Sequence, residues 1–196
     1  TTRSDGGRGY PYQTLVYFWD ADKSQCIGKF TEEEGWLGDI ALSPDGQLLA
    51  LALSYVSADE GNQVRVWDIN TRQKICEFPG RWAEFSPVDN LLATANLASS
   101  EIELWDAEEC FIVQSLDEDI SPISLAFSPD GQLLASGRQS VQIWDINSGE
   151  LVRELTGLPN DVQKLAFSPD GRYLLSVTKG VTVDQGDVIT LWEIIP

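Results

Sequence analysis

Residues 123–155 read ISLAFSPDGQLLASGRQSVQIWDINSGELVREL, and this stretch decides the fold. Ile123 to Phe127 alternates apolar and small side chains, as a strand with one buried face does. Ser128-Pro129-Asp130-Gly131 follows. Proline pre-sets φ for a turn, aspartate bonds to nearby backbone, and glycine accepts the positive φ that leaves it. Gln132 to Ser136 then makes a second strand, Val141 to Trp144 a third, and Leu151 to Leu155 a fourth beyond the turn-forming run Asp145 to Glu150. The expected unit is a four-stranded antiparallel meander.

The unit is copied along the chain. Trp19, Trp67, Trp105, Trp144 and Trp192 each close a third strand, and each precedes Asp or Glu. Their spacings are 48, 38, 39 and 48 residues. In step with them come Ser43-Pro44-Asp45-Gly46, Ser86-Pro87-Val88-Asp89 and Ser168-Pro169-Asp170-Gly171. A period of about 40 residues built from short strands marks a repeat architecture. The second-strand pattern recurs at Leu48-Leu49-Ala50, Leu91-Leu92-Ala93 and Leu174-Leu175-Ser176. Length varies mainly in the loop joining strands two and three, long at 54–63 and 178–187. Such loops run on the surface and tolerate insertion.

The recurring Ser-Pro-Asp-Gly turn and Trp-Asp closure resemble those of WD-repeat β-propellers, from about Tyr10 to Ile195. That resemblance implies an all-β chain of four-stranded antiparallel blades, about four with a partial one, within one domain over 1–196. The units would be 10–35 (partial), 36–80, 81–119, 120–158 and 159–196. The strand count places the start at strand three of a blade and the end after strand three of another. Gln25 to Phe30 could then complete the last blade and close four, but Tyr12 to Trp19 would have no place; the chain is therefore read as part of a larger ring, with a closed four-blade ring or a ring finished by a neighbouring chain as the alternatives. Trp19, Trp67, Trp105, Trp144 and Trp192, with Asp45, Asp130 and Asp170, form the structural signature. In the family, a strand-two hydroxyl helps bond the tryptophan. Thr94 and Ser136 retain it, whereas Leu51 and Val177 are expected at the matching positions elsewhere. The tryptophans are therefore expected to act mainly through packing.

The chain carries 13 basic and 31 acidic residues, a net charge of −18. That charge repels phosphate backbones and anionic lipid, so neither nucleic acid nor a membrane is an expected partner. A basic protein is compatible with it. Cys26, Cys76 and Cys110 make an odd count without metal-ligand spacing, read as free, packed thiols in a reducing, cytoplasmic setting.

Histidine, the commonest general base and metal ligand, is absent. No phosphate loop leads from a strand into a helix. We therefore expect no catalytic residues, cofactor or metal, and read Glu32-Glu33-Glu34 and Asp117-Glu118-Asp119 as solvated loops. By family resemblance, one rim of the propeller is a docking face for a protein partner. Its candidates are Trp36, Tyr55, Arg81 and Arg138, since aromatics and arginine anchor interfaces. Glu33 and Glu118 share that rim without an assigned role, with Asp119 beside them, and Trp82 is assigned to the core. The expected function is a non-catalytic interaction or scaffold module in signalling. The alternatives are a propeller enzyme or carbohydrate binder using acidic channel residues, recognisable by converging carboxylates with raised pKa, and a structural subunit of a larger assembly.

Overall fold

The computed structural model describes residues 14–32, 36–54, 61–95, 100–117, 121–180 and 186–194. Seventeen strands are found there, and no helix. β1 (Thr14–Asp20) pairs with β2 (Gln25–Glu32) in a two-stranded first sheet. β3 (Trp36–Leu42), β4 (Leu48–Ser54), β5 (Gln63–Asp68) and β6 (Gln73–Pro79) form the second. β7 (Trp82–Phe85), β8 (Leu91–Ala95), β9 (Glu101–Asp106) and β10 (Phe111–Asp117) form the third. β11 (Ser124–Phe127), β12 (Leu133–Gly137), β13 (Val141–Asp145) and β14 (Leu151–Leu155) form the fourth. The fifth holds β15 (Val162–Phe167), β16 (Tyr173–Thr178) and β17 (Val188–Glu193). Every sheet is an antiparallel meander, and the sheets are arranged as the blades of a propeller.

The turns form as their residues dictate. Ser128 Oγ donates to Asp130 Oδ1 at 2.6 Å and accepts from Leu133 N at 2.9 Å. Gly131, at φ 70°, closes the turn by donating to Ser128 O. The same bonds recur around Ser43 and Ser168. The hydroxyl holds the carboxyls of Asp45, Asp130 and Asp170 below the usual range. The aspartate of a Trp-Asp pair caps the turn that follows it: Asp68 Oδ1 accepts from Thr71 N, and Asp145 Oδ1 from Asn147 N and Ser148 N.

The core lies between sheets. Val64, Val66 and Phe78 of the second meet Ala83, Phe85 and Leu92 of the third. Ile102, Leu104 and Leu116 meet Leu125 and Phe127 of the fourth. Val141 and Ile143 meet Val162 and Leu165 of the fifth. A sheet this small buries its faces only by stacking on its neighbours.

Four expectations need correction. First, three tryptophans have polar partners. Trp105 Nε1 donates to Thr94 Oγ1 (3.1 Å), Trp144 Nε1 to Ser136 Oγ (3.1 Å) and Trp192 Nε1 to Ser176 Oγ (3.0 Å). The register pairs Leu174 with Trp192, so Ser176 and not Val177 occupies the hydroxyl position. At the fourth site Leu51 does stand there, and the buried Nε1 of Trp67 has no hydrogen-bond partner among the described residues. Second, Cys76 and Cys110 are not free thiols but form a disulfide between the second and third sheets. Cys26 is free and exposed. Third, Glu32 is not solvated: it is buried at the end of β2 in an ion pair with Arg65, which also reaches Glu77. Fourth, β2 does not complete the last sheet. It pairs with β1, and Phe30 stacks on Trp67 of the second sheet with ring centroids 4.3 Å apart.

The disulfide occupies a joint that recurs. The fourth residue after the Trp-Asp aspartate has positive φ (Arg72, Cys110, Gly149) and touches the preceding sheet's outer strand. Arg72 Nη2 donates to Ile27 O at 3.1 Å. With the Gln114 amide assigned by its hydrogen-bonding surroundings, its oxygen accepts from Gly149 N at 3.1 Å and its nitrogen donates to Ile146 O. Three joints thus use three chemistries.

Candidate interaction site

The register assembles one rim. Each first strand begins beside the end of its second: Trp36 faces Ser54, Trp82 faces Ala95, Ser124 faces Gly137 and Val162 faces Thr178. The strand ends from which the connections between sheets and the loops between strands two and three depart therefore lie at one end. Trp36 sits there half-exposed at the start of β3. Arg81 lies before β7 with its guanidinium 5.1 Å from the Trp82 ring centroid. Arg138, beyond β12, donates to Ser121 O (3.2 Å) and lies 3.8 Å from Asp161. Its carbonyl accepts from Val162 N, so this arginine also ties the fourth sheet to the fifth. Tyr55, Glu33 and Glu118 fall outside the described residues.

The inner strands β3, β7, β11 and β15 enclose a cavity of about 290 Å³, lined among others by Asp39, Trp82, Glu84, Ser124 and Lys164. Two lining side chains also join sheets. Asp39 Oδ2 accepts from Ala83 N (3.2 Å), and Ser124 Oγ, at the same repeat position, accepts from Leu165 N (3.0 Å). Asp39 Oδ1 further accepts from Ile40 N. Burial nonetheless raises the Asp39 carboxyl above its ordinary value.

Glu84 is the residue that sequence reading missed. Counted back from the Ser-Pro turns, its position holds Ala41, Ala126 and Ala166 in the other sheets. A carboxylate thus replaces an alanine against the cavity. Burial, and secondarily the Asp39 charge, pushes its pKa up to about 7. The signal that could have found it was the repeat itself, since only this copy breaks the small-residue position. Lys164 supplies a nearby positive charge that favours ionised Asp39. Trp82, expected in the core, is half-buried, packing on the third-to-fourth sheet core and lining the cavity.

Among the described residues no group of three or more His, Cys, Asp or Glu is placed to hold a metal ion, and no helix is long and apolar enough to cross a membrane. The arrangement can take up a small, positively charged or hydrogen-bonding group from the rim.

Comparisons with known proteins agree with the geometry. The family described as "WD domain, G-beta repeat" matches residues 24–68, 112–145 and 149–184. The chain is similar to the small ribosomal subunit protein RACK1 of Caenorhabditis elegans, 28% identical over 141 residues, covering 64% of this chain and 41% of that protein. It is also similar to nuclear distribution protein nudF 2 of Penicillium rubens, 27% identical over 152 residues, covering 78% of this chain and 28% of that protein. The chain therefore spans well under half the length of these curated relatives. With family matches over more than half its residues and the bladed all-β fold described above, the chain belongs to the WD40 repeat family.

Proposed function

We propose that the chain is a non-catalytic protein-interaction module whose rim docks a partner that inserts a basic side chain into the cavity. The observation that carries this reading is Glu84, a carboxylate set where the other three copies have alanine, beside Asp39 in a cavity at the rim. Desolvating a carboxylate is unfavourable unless a counter-charge meets it. A lysine or arginine from a partner supplies that charge, in keeping with the acidic balance of the whole chain. Trp36 and Arg81 border the same rim as aromatic and guanidinium contacts, with Arg138 fixing the neighbouring connection.

A second reading is favoured by the same convergence of two carboxylates with raised pKa: acid–base chemistry on a small substrate. Asp39 argues against it, because its oxygens already accept two backbone N–H groups and so serve the joint between sheets.

Peptides selected from a random display library against the full chain provide the test. The expected binders carry Lys or Arg, weaken with added salt, and lose tenfold or more affinity on Glu84→Gln or Trp36→Ala with no fall in melting temperature. Binders without basic residues, or indifferent to both substitutions, would contradict the proposal.

A further inference from the structure

Around the cavity the four inner strands stand in step. Counted back four residues from each turn serine, the same repeat position holds Asp39, Trp82, Ser124 and Lys164. Two bonds fix that alignment. Asp39 accepts from Ala83 N and Ser124 from Leu165 N, each donor lying one residue beyond that position on the next sheet. All four residues line the cavity and so form one layer across it. Glu84 lies two residues further along β7, farther from the rim at which the first strands begin. The deeper level therefore carries a carboxylate, and the level nearer the rim carries a lysine on one side.

Both levels keep unused hydrogen-bonding capacity. Among the described residues no hydrogen bond reaches the Glu84 carboxyl. Ser124 Oγ accepts from Leu165 N, which leaves its own proton to donate. Lys164, whose side chain is exposed, occupies the same layer on the adjoining sheet. Hydroxyl and ammonium together offer two donors to one anion. Asp39 feels the Lys164 charge, but its oxygens are taken by Ile40 N and Ala83 N.

The spacing of the two levels selects an occupant. A step of two strand residues is roughly 6–7 Å, a distance the four-carbon stem of lysine covers between its backbone and its ammonium group. The cavity, at about 290 Å³, is at the small end of the roughly 300–1,000 Å³ of ligand pockets, and takes one side chain rather than a folded segment. In an extended peptide neighbouring side chains point to opposite sides, so an acidic neighbour of an inserted lysine turns away. The anion that sits at the base of the inserted side chain itself is a terminal α-carboxylate.

We infer, resting on the reading of the rim cavity as a docking site, that it captures a polypeptide C-terminus ending in Lys or Arg. Glu84 receives the side-chain cation, Ser124 and Lys164 receive the α-carboxylate, and the Trp82 ring covers the apolar stem. Free lysine carries the same two groups, but adds an α-ammonium group that Lys164 repels.

The test compares two pentapeptides on the full chain by fluorescence anisotropy, each labelled at its amino end. One is Gly-Ser-Gly-Ser-Lys with a free carboxylate, and the other is the same sequence with a terminal amide. The acid is expected to bind at least tenfold more tightly. Glu84→Gln should weaken both peptides tenfold or more. Lys164→Gln, at an exposed side chain, should leave the melting temperature unchanged and bring the two peptides within twofold of each other. Lys164→Glu should reverse their order. Free lysine should compete at least tenfold less well than the acid. Equal binding of acid and amide, or a preference that survives Lys164→Gln, would overturn the inference, while a loss of both peptides on Glu84→Gln would leave the rim reading standing. Free lysine competing as well as the acid would overturn the choice of a polypeptide end. Binding of neither peptide would overturn the inference too, and the library selection then judges the rim reading by itself.

Discussion

Trp67 and Trp105 occupy equivalent sites and differ in one bond, which makes Trp→Phe at each a direct measure of that bond. Both are half-buried, and both stack on a phenylalanine of the preceding sheet: Trp67 on Phe30 at 4.3 Å and 20°, Trp105 on Phe78 at 4.4 Å and 21°. Trp105 Nε1 donates to Thr94, whereas Leu51 stands at the equivalent position beside Trp67 and the buried Nε1 of Trp67 has no hydrogen-bond partner among the described residues. The packing lost with the smaller ring should be similar at the two sites. At Trp105 the substitution also forfeits a hydrogen bond, worth about 1 kcal/mol net. At Trp67 it removes a buried unpaired donor, relieving about 1–3 kcal/mol. Trp105→Phe should therefore be more destabilising than Trp67→Phe by roughly 2–4 kcal/mol, or about 4–16 °C in melting temperature for a chain of this size. Urea titration followed by far-ultraviolet circular dichroism, which does not rely on the indoles, gives the two free energies. Thr94→Val, which orphans the Trp105 donor without changing volume, should cost about 1–3 kcal/mol. Equal losses at the two tryptophans, or a larger one at Trp67, would refute the reasoning.

Three further outcomes follow from other features. Glu84 holds its proton more tightly folded, at about 7, than at the ordinary 4.5. Stability it contributes is thus present below about pH 4.5 and is lost as pH rises through 7. Relative to wild type, Glu84→Gln should become more stable across that window, by on the order of 3 kcal/mol at pH 8, measured by urea titrations at several pH values. The disulfide closes a separation of 34 residues, worth about 3–4 kcal/mol in the chain-entropy account. Reductant should lower the melting temperature of wild type but not of Cys110→Ser, and alkylation without reductant should label one cysteine of three. Gly46 has φ 71° and open space around its α-carbon. Gly46→Ala should therefore cost about 1–2 kcal/mol through backbone conformation alone, and Gly46→Asn less.

The architecture was legible because its signals are local. The Ser-Pro-Asp-Gly turn and the Trp-Asp closure are short-range devices, and their recurrence gave strand order before any long-range contact was known. What stayed hidden depends on register or on contacts between sheets. A one-residue difference in counting exchanged Ser176 for Val177 and concealed a tryptophan's partner. Cys76 and Cys110 lie 34 residues apart and meet only because an outer strand of one sheet touches a turn of the next. Glu32 looked like part of a solvated acidic run until the first sheet's packing placed it on Arg65. Glu84 was available to sequence reading through comparison with Ala41, Ala126 and Ala166, yet its meaning needed the cavity. Of the rim candidates, Trp36, Arg81 and Arg138 lie at one end of the sheets, though Arg138 has a joint to hold as well.

The most direct test of the interaction-module account is hydrogen-exchange footprinting of the full chain with a selected basic peptide bound. The account predicts slowed exchange confined to the rim: the starts of β3, β7, β11 and β15 and the connection at Arg138. Protection on the outer strands β6, β10 and β14 with the rim unchanged would contradict it.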